Sequence, residues 1–173
     1  MRCGILSHTE NRLKKGHHAM ERCNKIYNHP LYQKRIKIIE ERETDRIFCL
    51  HNLEHSLDVA RIGYIMILEQ NLNIDKELFY AASLLHDAGR YSNKPHNLSG
   101  AELARVLMPQ CGFTTAETEL VANAIEGHRQ DLQTDSFSKV LYYADKISSI
   151  CFSCKAQNEC YWKEERRNKD ILI

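Results

Sequence analysis

The chain has 173 residues, of which 43% are hydrophobic and 27% are charged, and its formal net charge is +1. This length suits one domain around a single hydrophobic core, and the composition is ordinary for a soluble globular protein. The small net charge excludes a general electrostatic attraction to nucleic acid or to a membrane surface. No run approaches the roughly 20 apolar residues of a membrane helix, and the N-terminus lacks the apolar core of a secretory signal. The sequence therefore predicts a cytoplasmic protein without a membrane partner, and it does not favour nucleic acid as a ligand.

Glycine and proline are scarce, with 7 Gly and 3 Pro, and no alternating run is long enough to build a sheet. We therefore expect an all-α fold. The first 16 residues are basic and unpatterned, which indicates a mobile arm. A peripheral helix over about 17–27 completes an N-terminal segment, 1–28. A second peripheral helix begins at Pro30, since proline is tolerated at a first helical position, and ends near Arg42.

Residues 52–71 form two adjacent apolar stripes at helical spacing. The first stripe contains Leu53, Leu57, Ala60, Tyr64 and Leu68, and the second contains His55, Val59, Ile62 and Met66. A helix that is apolar over so wide an arc should lie at the centre of the fold.

The next helix carries a His-Asp pair. Asp75 is a suitable N-cap, and apolar residues follow at helical spacing up to Leu85. Gly89 stands where a C-terminal glycine would end the helix. His86 and Asp87 are therefore predicted in its last turn.

Three further helices fit residues 97–110, 115–126 and 136–150. We therefore expect a helical domain over 29–150 and a cysteine-containing tail, 151–173, that packs on the same domain. The chain has 7 cysteines, an odd number, so free or metal-bound thiols are favoured over a disulfide framework.

Four polar residues fall where the helices should face the core, namely His55, His86, Asp87 and Asp145. A buried imidazole or carboxylate is costly unless something pairs with it or ligates it. A single residue of this kind is more often a hydrogen-bonded core residue, but four together point to a metal site. Mixed imidazole and carboxylate ligands suit Fe, Mn, Zn, Ni or Co, and an open position would hold a water whose pKa the metal lowers.

The segments HSLDVARI, SLLHDAGR and LYYADKIS resemble the HD superfamily, whose H…HD…D signature lies on the helices of an all-α bundle. The resemblance covers about 45–150. It implies that the four core-facing residues bind one metal and that Asp87 can bridge to a second. His51, one turn before His55, is a further candidate.

Two more histidines resemble those of a subset of the superfamily that binds two metals. They are His96 in KPHNLSGAELA and His128 in AIEGHRQ. If both are ligands, two metals about 3.5–4 Å apart could clamp a phosphate group. The alternative is that both are loop histidines, solvated or in contact with substrate.

The resemblance implies a phosphohydrolase that acts on a nucleotide or another small phosphoester. Positive side chains would stabilise the phosphoryl oxygens. Arg90, Lys146 and Arg129 are the candidates for substrate binding, and Asp87, Arg90 and Lys146 are the candidates for catalysis. For each cation the alternative is a surface position or a pairing with the site's carboxylates. A diiron oxygenase on the same scaffold and a non-catalytic module that senses a nucleotide or a metal are the other functions that these residues allow.

The tail contains Cys151, Cys154 and Cys160 in a C-x2-C-x5-C run, which is one ligand short of a closed site. Cys49, six residues before His55, is the candidate fourth ligand. Four thiolates would suit a structural zinc ion or an iron-sulfur cluster. The alternative is that these cysteines are reduced and pack as small hydrophobic residues beside Phe152 and Trp162.

Overall fold

The computed structural model describes residues 19–129 and 135–173. Over these residues it contains seven α-helices and no strand, which confirms the all-α prediction. The helices are α1 (Glu21–Asn28), α2 (Pro30–Arg42), α3 (Leu53–Glu69), α4 (Lys76–Leu85), α5 (His96–Leu107), α6 (Thr115–Gly127) and α7 (Ser136–Ile147). None of them is long and apolar enough to cross a membrane. The arm predicted at residues 1–16 lies outside the described part of the chain.

Side-chain caps begin most of the helices at the predicted places. The Asn52 side chain accepts the backbone N–H of His55 at the start of α3, and Asp75 accepts that of Leu78 at the start of α4. Thr114 forms a reciprocal capping box with Glu117 at the start of α6. Because such caps satisfy backbone donors that have no partner within the helix, they fix where each helix begins.

Helix α3 is central, as predicted, and it buries Ala60 and Val59, one from each predicted stripe, together with Gly63 and Ile67. It packs on α4 and α7. Ala60 and Gly63 lie at this contact, and a Cβ on Gly63 would be 2.2 Å from Phe79 Cζ. The small residues allow close helix packing, so the larger apolar residues turn to the edge and Leu68 is 58% exposed. Leu68 is therefore the one exposed member of its predicted stripe.

Helices α1 and α2 were predicted to be peripheral, but both belong to the hydrophobic core. Both supply buried residues to the main core, including Ile26 from α1 and Tyr32 and Ile39 from α2. The guanidinium of Arg22 on α1 pairs with Glu77 at 2.7 Å and with Glu117 at 2.8 Å, which ties α1 to α4 and α6. The domain core therefore begins before residue 29.

The His-Asp pair lies just beyond α4 rather than in its last turn. The helix ends at Leu85, His86 caps it, and Asp87 precedes a 3-10 turn, Ala88–Tyr91. Gly89 lies within this turn with no left-handed backbone. A Cβ on Gly89 would lie 2.0 Å from the carbonyl oxygen of His96, so glycine is needed for close approach to α5 and not for a helix C-cap. This approach brings Asp87 beside the first residue of α5.

Candidate metal centre

Three helices bring the four H…HD…D residues together. His55 lies in the first turn of α3, His86 and Asp87 follow α4, and Asp145 lies near the end of α7. His55 Nε2 is 3.3 Å from Asp145 Oδ1 and 3.6 Å from Asp87 Oδ2, and His86 Nε2 is 3.3 Å from Asp87 Oδ2. All four offer ligand atoms that lie within 4.8 Å of one another.

The unpaired atoms of this cluster fit a cation. His55 Nε2, His86 Nε2 and Asp87 Oδ2 are buried and have no hydrogen-bond partner among the described residues. Buried polar atoms are normally paired, so several unpaired atoms in one cluster whose ligand atoms lie within 4.8 Å of one another fit a bound cation. Imidazole and carboxylate groups are the donors that divalent transition metals prefer.

Hydrogen bonds hold both imidazoles with Nε2 directed inward. His86 Nδ1 donates to the carbonyl oxygen of Ser83 at 2.7 Å, which leaves Nε2 as the lone-pair nitrogen of the neutral ring. Ser148 Oγ donates to the carbonyl oxygen of Asp145, so Oγ accepts from His55 Nδ1 at 3.3 Å. These outer contacts set the tautomer that a metal ligand requires.

A second group of potential ligands shares Asp87. It comprises Asp87, His96 at the start of α5 and His128 at the end of α6. His96 Nε2 is 3.7 Å from Asp87 Oδ1, and the rings of His96 and His128 are 5.3 Å apart. His128 is buried, and its Nδ1 donates to the carbonyl oxygen of Ile125. Because Asp87 directs one oxygen at each group, it stands where a bridging carboxylate would.

Burial and neighbouring charges shift the pKa values of the histidines in opposite directions. Burial lowers the pKa of His96 to about 3 and that of His128 to about 4, so both rings are neutral, as metal ligation requires. Burial also disfavours a charged His86, but the adjacent carboxylates of Asp87 and Asp145 outweigh it and raise the pKa of His86 to about 10. These carboxylates therefore favour a protonated His86 ring when no metal is bound.

Metal uptake is expected to release this proton, because only neutral imidazole binds a metal. With the pKa of His86 at about 10, the ring is protonated at pH 7, and metal affinity should rise as the pH increases toward 10. Isothermal titration calorimetry with Mn²⁺ in two buffers of different ionisation enthalpy would measure about one proton released per chain at pH 7.5. Binding heats that are identical in the two buffers would contradict the expectation.

His51 and Glu43 extend the centre beyond the core motif. His51 Nε2 is 3.8 Å from Asp87 Oδ2, and its Nδ1 donates to Glu43 Oε1. The same carboxylate accepts the backbone N–H of His51 at 2.9 Å. Sequence reasoning proposed His51 as a further ligand but missed Glu43, which comes from the polar end of α2, where no pattern marks it.

Replacing Glu43 with alanine is expected to weaken metal binding by about 10- to 100-fold, since it would free the His51 ring that the carboxylate orients. The affinity for Mn²⁺ or Co²⁺ measured by calorimetry would check this value. Glu41→Ala is the matched control, because Glu41 is an exposed acid of the same helix, and its affinity should equal that of the unmodified protein. Equal affinities for both variants would remove Glu43 from the centre.

A pocket opens over the His55 and Asp145 side of the cluster. Four of its lining residues are cations, namely Arg46, Arg90, Lys146 and Arg167. The predicted Arg90 and Lys146 also pair with ligands, since Arg90 Nε donates to Asp87 Oδ1 at 2.7 Å and Lys146 Nζ donates to Asp145 Oδ2. The pairing with the site's carboxylates, which was the alternative considered for these cations, is therefore present, and both side chains also line the pocket.

The other cations of the site differ from the sequence expectation. Arg129 is exposed and is not among the residues that line this pocket. Arg46 and Arg167 line it although they were not predicted, because they come from the loop before α3 and from the tail. Their place depends on how the tail folds back over the bundle, which no local pattern reveals.

An all-α domain in which His, His-Asp and Asp from three helices meet at one point defines a class of metal-binding helical domains. The family described as HD domain matches residues 52–150, more than half of the chain, and the chain belongs to this family. The resemblance inferred from the sequence is thereby confirmed. A crystal structure of a predicted HD superfamily hydrolase from an uncultured Thermotogales bacterium is similar, with a TM-score of 0.57 and 26% identity over 78% of this chain and 80% of that one.

Relatives of known sequence include both short and long proteins. An uncharacterized protein of Clostridium beijerinckii is 39% identical over 156 residues, which cover 88% of this chain and 99% of the relative. Ribonuclease Y of Clostridium novyi is 30% identical over 83% of this chain but only 28% of that enzyme. The bifunctional uridylyltransferase/uridylyl-removing enzyme of Rhodopseudomonas palustris is 49% identical over 53 residues, or 6% of its length. This chain therefore corresponds to a small part of these two enzymes.

Proposed function

We propose that the protein is a metal-dependent phosphohydrolase that acts on a nucleotide or another small phosphoester. The observation that carries the proposal is a carboxylate shared by two potential ligand groups beside a pocket lined by cations. A bound divalent ion of Fe, Mn, Zn, Ni or Co would supply polarisation of the phosphoryl group and a water of lowered pKa. The names of two relatives, a ribonuclease and a uridylyl-removing enzyme, agree with a nucleotide-based phosphoester.

The residues divide into ligands and charge-stabilising groups. His55, His86 and Asp145 would hold one ion, His96 and His128 would hold a second, and Asp87 would contact both. All of these side chains except His96 are nine-tenths buried or nearly so, which keeps the ligand geometry fixed without reorganisation.

Arg90 and Lys146 are the proposed groups that contact the phosphoryl oxygens. Each lies at the pocket wall with its charge beside a ligand carboxylate. The Lys146 ammonium also lies 5.4 Å from the centre of the Trp162 ring, which restricts its position. When the carboxylates bind metal, both cations have charge to offer to an anionic substrate.

The pocket's chemistry favours a phosphohydrolase over a diiron oxygenase. Cations placed at the open side of the centre suit a substrate that carries negative charge, and oxygen chemistry on a neutral organic substrate has no need of them. Aromatic rings at the same wall, Phe48, Tyr161 and Trp162, offer flat apolar surface to a nucleobase.

A screen of nucleotides and generic phosphoesters with added Mn²⁺, Fe²⁺, Co²⁺, Ni²⁺ or Zn²⁺ would test the proposal. We expect turnover with at least one metal, loss of turnover with a chelator, and no turnover by the His86→Ala protein. Tight nucleotide binding without turnover under every metal would instead indicate a sensing module. Oxygen consumption in the presence of iron and an organic substrate would indicate an oxygenase.

A further inference from the structure

Four cysteines line the same pocket as His55 and Asp145. Cys49 comes from the loop before α3, and Cys151, Cys154 and Cys160 come from the tail after α7, yet all line the same pocket. The two segments touch directly, since the rings of Phe48 and Tyr161 are 5.7 Å apart with edge-to-face geometry. All four thiols are free of disulfide bonds. Residues about 100 apart in sequence thus contribute thiols to one surface.

The tail has too little core to hold itself in place. Of residues 151–173 only Cys151 and Ala156 are buried, and two short 3-10 turns are its only regular structure. Fixing the backbone costs conformational entropy at every residue of the tail, which burial of two small side chains does not offset. Hydrogen bonds from Asn168 Nδ2 to the carbonyl oxygens of Lys146 and Ser149 supply part of the tether. A cross-link between the tail and the bundle would supply the rest.

The backbone between Cys151 and Cys154 suits a metal knuckle. Cys151 and Cys154 flank a 3-10 turn, in which the Cys154 N–H donates to the Cys151 carbonyl oxygen at 3.2 Å. This is the compact turn that a C-x2-C pair uses to present two sulfurs to one ion.

Cations are also placed to balance an anionic site. Arg46 Nε donates to the carbonyl oxygen of Cys49 at 2.8 Å, and Arg167 Nη2 donates to that of Cys160 at 2.9 Å. Two guanidinium groups therefore lie beside two of the cysteines. Four thiolates around a divalent ion carry a net charge of about −2, which these two groups would neutralise.

We propose that Cys49, Cys151, Cys154 and Cys160 bind one zinc ion in a tetrathiolate site, separate from the His/Asp centre, that fixes the tail as a wall of the pocket. Zinc is favoured over an iron-sulfur cluster because Cys49 is exposed and Cys154 and Cys160 are partly exposed. Zinc has no redox chemistry, so a solvent-accessible position does not endanger the site. The proposal does not depend on the phosphohydrolase activity.

Metal analysis of the full chain tests the site. Protein purified from zinc-supplemented medium, washed with a mild chelator, is expected to keep about one zinc per chain in the unmodified form and in His86→Ala. Cys151→Ser and Cys49→Ser should lose this zinc. Cys23→Ser should keep it, because the Cys23 thiol is buried at α1 and donates to the carbonyl oxygen of Glu77, a bond that a hydroxyl can replace. Equal zinc in all five proteins would overturn the proposal.

Measurements on protein that keeps all its cysteines guard against misfolding of the cysteine variants. Titration of the unmodified protein with an organomercurial should release the zinc as the thiols react, whereas zinc held by imidazole and carboxylate would stay bound. Cobalt-substituted protein should show thiolate-to-cobalt charge-transfer absorption that persists in His86→Ala. Zinc that stays bound after all thiols have reacted would overturn the site. Iron with stoichiometric inorganic sulfide in place of zinc would overturn the zinc assignment.

Discussion

Exchanging Asp87 for asparagine is expected to remove metal from both ligand groups and to lower kcat/KM by about a thousandfold or more, equivalent to about 4 kcal/mol of transition-state stabilisation. Asp87 is the residue that the two groups share, with Oδ2 toward His86 and Oδ1 toward His96. Asparagine keeps the volume and one oxygen but loses the charge. The fold should survive while the centre loses its central ligand.

Metal content by mass spectrometry and turnover of the best phosphoester would check this prediction together. Asp58→Asn is the matched control, because Asp58 is a partly exposed aspartate of α3 that pairs with Arg61 at 3.5 Å and lies outside the centre. It should retain full metal content and activity. Metal retained by Asp87→Asn at the normal stoichiometry would show that Asp87 is not a ligand, whatever happens to the rate.

Local signals explain why most of the fold could be predicted. The boundaries of α2, α6 and α7 follow from Pro30, from the Thr114 capping box and from the Asp135 cap, each of which acts within a few residues. The core of the site was also visible, since a histidine on an apolar stripe and a carboxylate within VLYYADKI break a local pattern. A polar residue at a buried helical position can be recognised from the local sequence pattern, even when its partner is not known.

Features that depend on packing between distant segments could not be predicted. The buried face of α3 is decided by how closely Ala60 and Gly63 approach α4 and α7. Gly89 appeared to be a C-cap because its neighbours in sequence fit one, but its contact is with His96 on another helix. Glu43 lies in a charged segment where an acidic residue is not unusual. Only its contact with His51 in the folded structure reveals that it orients that ring. All of these are contacts between separate segments of the chain, which residue spacing does not predict.

The cations that line the pocket could also be predicted only in part from the sequence. Arg90 and Lys146 were found because each is close in sequence to a ligand. Arg167 is 22 residues beyond Asp145 and reaches the pocket only because the tail turns back, with Arg167 Nε donating to the carbonyl oxygen of Trp162 at 2.9 Å. Sequence proximity to a ligand is therefore neither a sufficient nor a complete guide, since it also selected Arg129, which does not line this pocket.

Exchanging His128 for asparagine is expected to remove one of two metals and to lower kcat/KM by about 100-fold, while the ion at His55, His86 and Asp145 is retained. His128 belongs to the second ligand group, and its ring faces both His86 at 5.6 Å and His96 at 5.3 Å. The asparagine amide can still donate to the carbonyl oxygen of Ile125, as the imidazole does. The end of α6 should therefore keep its structure, and the loss can be assigned to the missing ligand.

His29→Asn is the control for this variant, because His29 caps α2 away from the centre and asparagine is also a good N-cap. It should bind as much metal as the unmodified protein. The decisive comparison is the metal stoichiometry of the two variants under identical loading, with His96→Asn expected to match His128→Asn. If all three proteins bind the same number of ions, His96 and His128 serve the substrate and the centre holds a single metal. If only His96→Asn and His128→Asn lose one ion, Asp87 bridges a dinuclear centre. This outcome would agree with the positions of its two carboxylate oxygens, each of which faces one ligand group.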